Sequence, residues 1–140
     1  AGDRVPADLR LIKARGLSDR VFLTGYRDDV PHILAASDVL VLPSFREGTP
    51  RVITEAMANG LPVVATDIAG IPEQVADGES GYLIPTGNVK ALRKRLEQLL
   101  LDTELRHRMG QQGIERAEQF SVETMVEETD EIYQGLLGKD

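Results

Sequence analysis

The chain has 140 residues, 41% hydrophobic and 28% charged, which is enough to bury the core of one domain. Its formal charge of −7 argues against a general nucleic-acid binder, and the lack of cysteine removes disulfides, zinc–thiolate sites and thiol nucleophiles. No apolar run approaches about 18 residues and no signal peptide opens the chain, so the expected location is cytoplasmic, with membrane contact at most peripheral.

The first elements predicted from the sequence are short. Residues 7–15 are predicted to form a helix that Gly16 ends. Residues 21–24 form an apolar run typical of a buried strand, and Gly25 allows a sharp turn after it. A short helix is predicted over residues 31–36.

The chain is organised around residues 38–67, which predict one strand–loop–helix–strand unit. Residues 39–42 are continuously apolar and suit a strand buried on both faces. An eight-residue loop follows, in which Thr49 is expected to cap a helix whose first residue is Pro50. Gly60 is expected to end this helix in a left-handed conformation before a second strand over residues 63–65. Strand, crossover helix and strand predict a parallel unit, with ligands bound beyond the carboxyl ends of its strands.

The second half predicts a short helix over residues 72–76, a strand over 82–84 and three further helices. Asn88 and Ser121 are expected to cap the first and last of these helices. Gly110 and Gly113 are expected to interrupt weakly the helix over residues 103–119. Strands alternate with helices four times, which predicts an α/β doubly wound parallel sheet with a helical tail, in a single domain over residues 1–140.

Two acids in the central unit are candidates for chemistry. Glu47 lies in the loop before the helix, and Glu55 lies inside the helix, opposite its buried stripe. On spacing alone, an ion pair between Glu55 and Arg51 one turn back is the favoured interpretation. Two carboxylates also suggest glycoside hydrolysis, but nothing else in the sequence supports a raised pKa on either.

The start of the central helix is a candidate anion site. Gly48 permits close approach of a ligand to the backbone, and a helix N-terminus presents free N–H groups. A simple capped helix start is the alternative. A second helix start at Gly70-Ile71-Pro72 has similar chemistry and should open on the same edge of the sheet.

Other candidate sites are weaker. His32 and His107 are single residues on predicted helices and are interpreted as surface residues. A phospho-acceptor receiver domain is rejected because Pro43-Ser44 follows the strand where the acceptor aspartate would lie. Basic side chains between residues 88 and 119 are interpreted as a solvated helix face, with a weak membrane-surface contact as the less favoured alternative.

An ordered set of motifs resembles a known family. The central run is Pro43-Ser44-x-x-Glu47-Gly48-Thr49-Pro50-x-x-x-x-Glu55-Ala56-Met57-Ala58-x-Gly60-x-Pro62. Flanking motifs include Gly25-Tyr26, Leu34-Ala35-Ala36-Ser37-Asp38, Gly70-Ile71-Pro72-Glu73 and Asp77-Gly78-Glu79-x-Gly81. Over residues 18–137 the chain resembles the donor-binding, C-terminal domain of the retaining glycosyltransferases of group 1, which have the GT-B fold.

The resemblance implies a role for each site residue. Glu55 is expected to bind the ribose hydroxyls of a nucleotide-diphospho-sugar such as a UDP- or GDP-sugar. Glu47 is the expected catalytic residue and should lie near the donor sugar with the backbone of Gly48 and Thr49. The helix start at Thr49, Pro50 and Arg51 is expected to face the diphosphate, and Gly25, Tyr26 and Arg27 are expected to lie near the base. No metal and no other cofactor is expected.

The chain also departs from the family pattern. The two strands that open the family's donor domain, with the Arg and Lys that hold the diphosphate, are absent, and so is the N-terminal acceptor domain. The chain is therefore expected to be inactive as an isolated transferase. An autonomous fold is expected to need rearrangement, strand exchange or a partner that covers the exposed sheet edge, and a homodimer is one such partner. Part of the apolar stripe of the last helix is expected to be exposed.

Two other functions have to be considered for a chain of this fold. A non-catalytic nucleotide-binding or scaffold module on the same fold is the alternative. A nucleotide-sugar epimerase shares the architecture, but the acid–His pattern that it requires is not found in the sequence.

Overall fold

The computed structural model describes Gly16 and residues 19–137 of the chain. The helix predicted over residues 7–15 lies outside the described residues. The chain divides into two compact units, Ala1–Val30 and Pro31–Asp140, and each is described by itself.

In the first unit, residues 21–24 do not form the predicted buried strand. They have no strand hydrogen bonds, and their side chains are exposed, Phe22 by 78% and Leu23 by 53%. A strand is stable only when a neighbouring strand accepts its backbone hydrogen bonds, and no described residue does so here. Gly25, in contrast, has the predicted left-handed conformation, with φ of +64°.

From Val30 onward helices and strands alternate, and helices alone follow the last strand. The elements are α1 (Val30–Ala35), β1 (Leu40–Leu42), α2 (Arg51–Ala58), β2 (Val63–Thr66), α3 (Ile71–Gln74), β3 (Gly81–Ile84), α4 (Val89–Leu101), α5 (Thr103–Ala117), a 3₁₀-helix (Glu118–Phe120) and α6 (Val122–Leu137).

The strands form a parallel sheet in the order β1-β2-β3. Leu40 pairs with Val63, and Val63 pairs with Gly81, so the three strands start level with one another. The predicted α/β, Rossmann-like architecture is confirmed. Within the part of the chain that the structure describes, the sheet has three strands rather than the four predicted.

β2 is buried along its whole length, whereas β1 is not. The prediction that β1 is buried on both faces is wrong, because Leu40 and Leu42 are only half-buried and Val41 is 37% exposed. β1 is an edge of the sheet formed by the described residues, so packing covers it incompletely. Its apolar sequence reads like that of a central strand, but its place in the sheet decides its burial.

A hydrophobic core lies between the sheet and the helices that follow β3. Val64, Tyr82 and Ile84 from the sheet pack with Leu99 of α4 and Met109 of α5. Side chains alternate between the two faces of a strand, so Val63 and Ala65 point away from this cluster. Both are fully buried as well, which gives the sheet a covered opposite face.

The two predicted helix caps after β3 are confirmed. The Asn88 side chain accepts a hydrogen bond from the Ala91 N–H at 3.0 Å, and the Ser121 hydroxyl accepts one from the Thr124 N–H at 3.0 Å. Each cap satisfies an N–H group that the first turn of a helix leaves without a partner.

The prediction that Gly110 and Gly113 interrupt the helix is wrong. α5 runs through both glycines, and both are buried. A Cβ atom at Gly110 would lie 2.1 Å from the carbonyl oxygen of Gly60, which follows α2 with φ of +72°. These glycines therefore permit close packing of α5 on α2.

α6 carries an exposed apolar stripe, as expected. Its most exposed large apolar side chains are Val122, Met125, Val126, Ile132, Tyr133, Leu136 and Leu137. Within residues 19–137, no helix has the length and apolar character needed to cross a membrane.

Candidate functional site

The candidate site is the loop at the carboxyl end of β1. The buried Thr66 hydroxyl, at the end of β2, donates a hydrogen bond of 2.8 Å to the carbonyl oxygen of Ser44. This bond fixes the start of the loop to the neighbouring strand. The loop therefore lies beyond the carboxyl ends of two parallel strands, where open α/β sheets bind ligands.

The end of the same loop packs on the start of α3. The Gly70 N–H donates to the Gly48 carbonyl oxygen at 3.1 Å. A Cβ atom at Gly70 would lie 2.8 Å from the Thr49 hydroxyl oxygen and 3.0 Å from the Gly48 carbonyl oxygen. The prediction that the two helix starts open on the same edge of the sheet is thus confirmed, and Gly70 is needed for their close approach.

The residue before Gly70 has an unusual backbone conformation. Ala69 has φ of +48°, a left-handed value that costs a residue with a Cβ atom about 1–3 kcal/mol. The turn is closed by the Ile68 N–H, which donates to the Thr66 carbonyl oxygen at 3.0 Å. Strained residues of this kind concentrate at functional sites, and this one lies in the turn that carries the second helix start.

α2 begins one residue later than predicted. Pro50 is the N-cap, with φ of −71° and ψ of 116°, and no side chain caps the helix. The prediction that Thr49 caps α2 is wrong, because Thr49 precedes the N-cap and its hydroxyl lies against Gly70. The Ile53 N–H donates to the Pro50 carbonyl oxygen at 3.1 Å, while the N–H groups of Arg51 and Val52 donate to no acceptor among the described residues.

The two acids lie on either side of this helix start. Glu47, in the loop, is partly buried and forms no side-chain hydrogen bond with any described residue. The Glu55 side chain is 43% exposed, and its Oε1 lies 3.8 Å from an Nη atom of Arg51. The ion pair expected from spacing is therefore present, but it is long, and the Arg51 side chain is 91% exposed.

Part of the candidate set lines one open cavity of about 1150 Å³. Thr49, Arg51 and Glu55 belong to its wall, which the 3₁₀-helix and the start of α6 complete with Phe120 and Ser121, among others. The cavity thus brings together a helix start with free N–H groups and a carboxylate, while Glu47 and Gly48 are not among its lining residues.

Gln74 also lines this cavity, and no sequence pattern marks it as a site residue. It is 1% exposed, and its Nε2 donates to the Thr54 hydroxyl at 2.9 Å and to the Pro50 carbonyl oxygen at 3.3 Å. A carbonyl oxygen only accepts hydrogen bonds, so the amide nitrogen must face Pro50. The Oε1 atom then has no partner among the described residues, at a cost of about 1–3 kcal/mol.

Gly25, Tyr26 and Arg27 belong to the first unit. The Tyr26 side chain is 95% exposed. The Arg27 guanidinium forms a two-pronged ion pair with Asp29, with Nε 2.6 Å from Oδ1. This contact lowers the pKa of the Asp29 carboxyl below its ordinary value and raises the pKa of Arg27. The Arg27 side chain is thus already paired with Asp29, two residues further along the chain.

Comparison with known proteins assigns the chain to a family. The family model described as "Glycosyl transferases group 1" matches residues 9–116. The chain belongs to the group 1 glycosyltransferases. It is 38% identical, over 94% of its length, to the N-acetyl-alpha-D-glucosaminyl L-malate synthase of Bacillus anthracis, of which it covers 35%.

Solved structures of similar glycosyltransferases have the same fold. Anabaena HepE in complex with UDP is 32% identical, with a TM-score of 0.85 over 90% of this chain and 35% of that one. Sucrose-phosphate synthase from Thermosynechococcus elongatus is 29% identical, with a TM-score of 0.84 over 100% of this chain and 37% of that one. This group 1 glycosyltransferase chain therefore has the GT-B, Rossmann-like fold and spans about a third of the length of these relatives.

Proposed function

We propose that the chain is the nucleotide-sugar-binding part of a retaining glycosyltransferase. The observation that carries the proposal is the start of α2, where the N–H groups of Arg51 and Val52 have no acceptor among the described residues and lie one turn from Glu55. A helix start of this kind binds phosphate oxygens through N–H groups and the helix dipole. Membership of the group 1 family, and the UDP complex of Anabaena HepE, support this choice of ligand.

Each candidate residue has a role in the proposal. Glu55 accepts hydrogen bonds from the two ribose hydroxyls, for which its two carboxylate oxygens suffice. The diphosphate lies at residues 49–51, where Gly48 leaves room for close approach, since a Cβ atom there would meet no heavy atom within 4 Å. Glu47 is the proposed catalytic residue beside the sugar. Gly25, Tyr26 and Arg27 are the proposed contacts of the base.

The proposed chemistry is transfer with retention and without a metal ion. As the bond between sugar and phosphate breaks, negative charge accumulates on the leaving diphosphate. Fixed backbone N–H groups at the start of α2 stabilise that charge in place, because they need no reorganisation when it appears. If this is correct, UDP affinity measured by titration is the same in excess EDTA as in Mg²⁺.

The acceptor site belongs, in this proposal, to a domain outside these 140 residues. The chain covers about a third of its relatives, so the donor site alone is expected to bind nucleotide without transferring sugar. The proposed location is the cytoplasm, and fractionation of cells that make the protein tests it. Among the described residues β1 pairs with β2 alone, and this edge supports the proposal that two copies complete the sheet by pairing.

A titration followed by ¹H–¹⁵N NMR tests donor binding directly. UDP, GDP and ADP are added to the 140-residue chain, and binding is expected to shift the amide signals of residues 48–55. Glu55→Gln keeps the shape of the side chain and loses a charge-assisted acceptor, so UDP affinity should fall about 10-fold to 100-fold.

The matched control is Glu97→Gln, which makes the same change in an exposed ion pair of α4. It should leave the affinity unchanged. Absence of binding by all three nucleotides, or equal affinity of the Glu55→Gln variant, would contradict the proposal. Binding without sugar transfer after the N-terminal domain of a related enzyme is supplied would favour a non-catalytic nucleotide-binding module instead.

A further inference from the structure

α3 contacts the proposed diphosphate site at both of its ends. Its N-cap, Gly70, donates its N–H to the Gly48 carbonyl oxygen, and its last residue, Gln74, reaches α2 through its side chain. A helix of four residues has almost no stability of its own, so its position must come from its contacts. The residues that hold α3 in place therefore also fix the positions of the loop and of the start of α2.

The contact with Pro50 bears directly on a phosphate donor. The Pro50 carbonyl oxygen, which accepts from Gln74 Nε2, belongs to the same peptide group as the Arg51 N–H. A trans peptide is planar, and its N–H points opposite to its C=O. The Ile53 N–H, at 3.1 Å, and Gln74 Nε2, at 3.3 Å, both donate to this carbonyl oxygen and together aim the Arg51 N–H outward from the helix start. The bond from Gln74 polarises that N–H further.

Gln74 is itself held by α5. The Arg116 guanidinium donates from Nε to the Gln74 carbonyl oxygen at 2.6 Å and from Nη2 to the Glu73 carbonyl oxygen at 2.6 Å. Both carbonyls end α3 and have no partner within so short a helix. Two sets of hydrogen bonds thus connect α5 to the start of α2 through Gln74, whose backbone carbonyl accepts from Arg116 and whose side chain donates to Pro50.

We propose that Gln74 and Arg116 are positioning residues for the diphosphate of the nucleotide, through the peptide group of Pro50 and Arg51. The proposal rests on the proposed function. It explains why residue 74 is a buried glutamine whose Oε1 has no hydrogen-bond partner within the described part of the chain, where an apolar side chain would satisfy the core. If the proposal holds, a change at Gln74 should weaken binding of the phosphates more than binding of the ribose, since Gln74 contacts the helix start and not Glu55.

The test compares UDP with uridine, which shares the base and ribose but has no phosphate. In Gln74→Met the side chain keeps its length and loses its hydrogen bonds. UDP affinity should fall about tenfold, as expected if the charge-assisted hydrogen bond from the Arg51 N–H to the phosphate is lost. Uridine affinity should change less than about twofold, because uridine makes no such bond. The control Gln112→Met makes the same change on the exposed face of α5 and should leave both affinities unchanged.

If Gln74 had only a structural role, Gln74→Met would lower the affinities for UDP and for uridine by the same factor and would lower the temperature midpoint of unfolding. We expect the midpoint of Gln74→Met to stay within a few degrees of the original, because the unpartnered Oε1 is also removed. If Gln74→Met does not fold, Arg116→Lys supplies the same test, since lysine keeps the charge and loses the two-pronged contact. Its control is Arg108→Lys, at an exposed position of the same helix.

An unchanged ratio of UDP to uridine affinity in the folded variant would overturn the proposal and leave the proposed function standing. Failure of the unaltered chain to bind UDP would remove both. A ratio that falls in Gln74→Met or Arg116→Lys, and not in the controls, supports the positioning role.

Discussion

The free energy of the ion pair between Glu55 and Arg51 helps to decide whether Glu55 serves stability or ligand binding. Their charged atoms are 3.8 Å apart on a solvent-facing side of α2. Exposed pairs one turn apart contribute about 0.3–0.5 kcal/mol, which is too little to explain a carboxylate at this position. A carboxylate that accepts bonds from bound hydroxyls contributes several times more to ligand affinity. The value of Glu55 is therefore expected to be seen in binding and not in stability.

Arg27 and Asp29 give a prediction about pH. The Arg27 guanidinium stabilises the ionised Asp29 carboxylate, so the pKa of Asp29 lies below its ordinary value of 3.8. Because the pKa is lowered in the folded chain, the favourable interaction is fully present above 3.8 and is lost as pH falls through the lowered pKa. An NMR titration of the Asp29 carboxyl carbon in the wild type and in Arg27→Gln measures the pKa of Asp29 in each protein.

In the Arg27→Gln variant the pKa of Asp29 should return toward 3.8. Asp28 is an adjacent reference carboxyl in the same spectra. Identical Asp29 titrations in the two proteins would contradict the ion pair. If Arg27 also contacts the base, as proposed, nucleotide binding should raise the pKa of Asp29, because its partner is then shared.

At the scale of helices and strands, several local signals predicted the structure correctly, although the cap expected at Thr49 and the interruption expected at Gly110 and Gly113 were wrong. Features that depend on distant segments were not predicted. Asn88, Ser121 and Gly60 act on residues within one turn of themselves, and each was predicted correctly. Residues 21–24 had the right composition for a strand, but strand formation depends on a partner segment that composition does not specify. Position within the sheet, which sets the burial of β1, is likewise non-local.

In the candidate site, too, the features that depend on nearby residues could be predicted from the sequence, and the features that depend on distant residues could not. The loop and the helix start at residues 44–51 follow from the β-α-β pattern and from the glycine and proline positions. Gln74 was missed because α3 is too short to show periodicity and because its partners are 20 and 24 residues away. Arg116 was missed for the same reason, since its carbonyl partners lie 42 and 43 residues earlier.

The packing of α5 on α2 gives a prediction about stability. In Gly110→Ala the new Cβ atom would lie 2.1 Å from the Gly60 carbonyl oxygen, so the two elements must separate. We expect a loss of about 1–3 kcal/mol in the free energy of unfolding, the usual range for overpacking. Urea denaturation followed by circular dichroism measures it.

Gly135→Ala is the matched control, because it lies in α6 and a Cβ atom there has no neighbour within 4 Å. It should stabilise the chain by up to about 1 kcal/mol through helix propensity. Equal effects of the two substitutions would show that the close approach at Gly110 does not limit packing.

At the scale of the whole molecule, the edge formed by β1 in the described part of the chain is the proposed surface for pairing of two copies. The Leu40 N–H bonds to the Pro62 carbonyl oxygen, so in a parallel ladder the N–H and C=O of Val41 point away from β2. No described residue pairs with that side of the strand. A strand edge of this kind pairs with another chain unless charge or cover prevents it.

We therefore predict that the chain self-associates through this edge and that Val41→Lys opposes it. A lysine on an edge strand disfavours pairing, so the dissociation constant should rise at least about tenfold. Sedimentation equilibrium over a range of concentrations measures it. Val89→Lys, at a 74% exposed residue of α4, is the control and should leave association unchanged. A monomer at every concentration would exclude pairing of copies.

The hydrogen bonds from Arg116 to α3 also bear on how the protein is made. Chains emerge from the ribosome from the N-terminus, and early segments begin to fold before later ones exist. The loop over residues 44–49 and the start of α2 are synthesised well before Arg116, which secures the short helix against which they rest. The backbone proposed to bind phosphate thus reaches its final form late in synthesis, and nascent chains that stop before Arg116 should be cleaved more readily in this loop than completed ones.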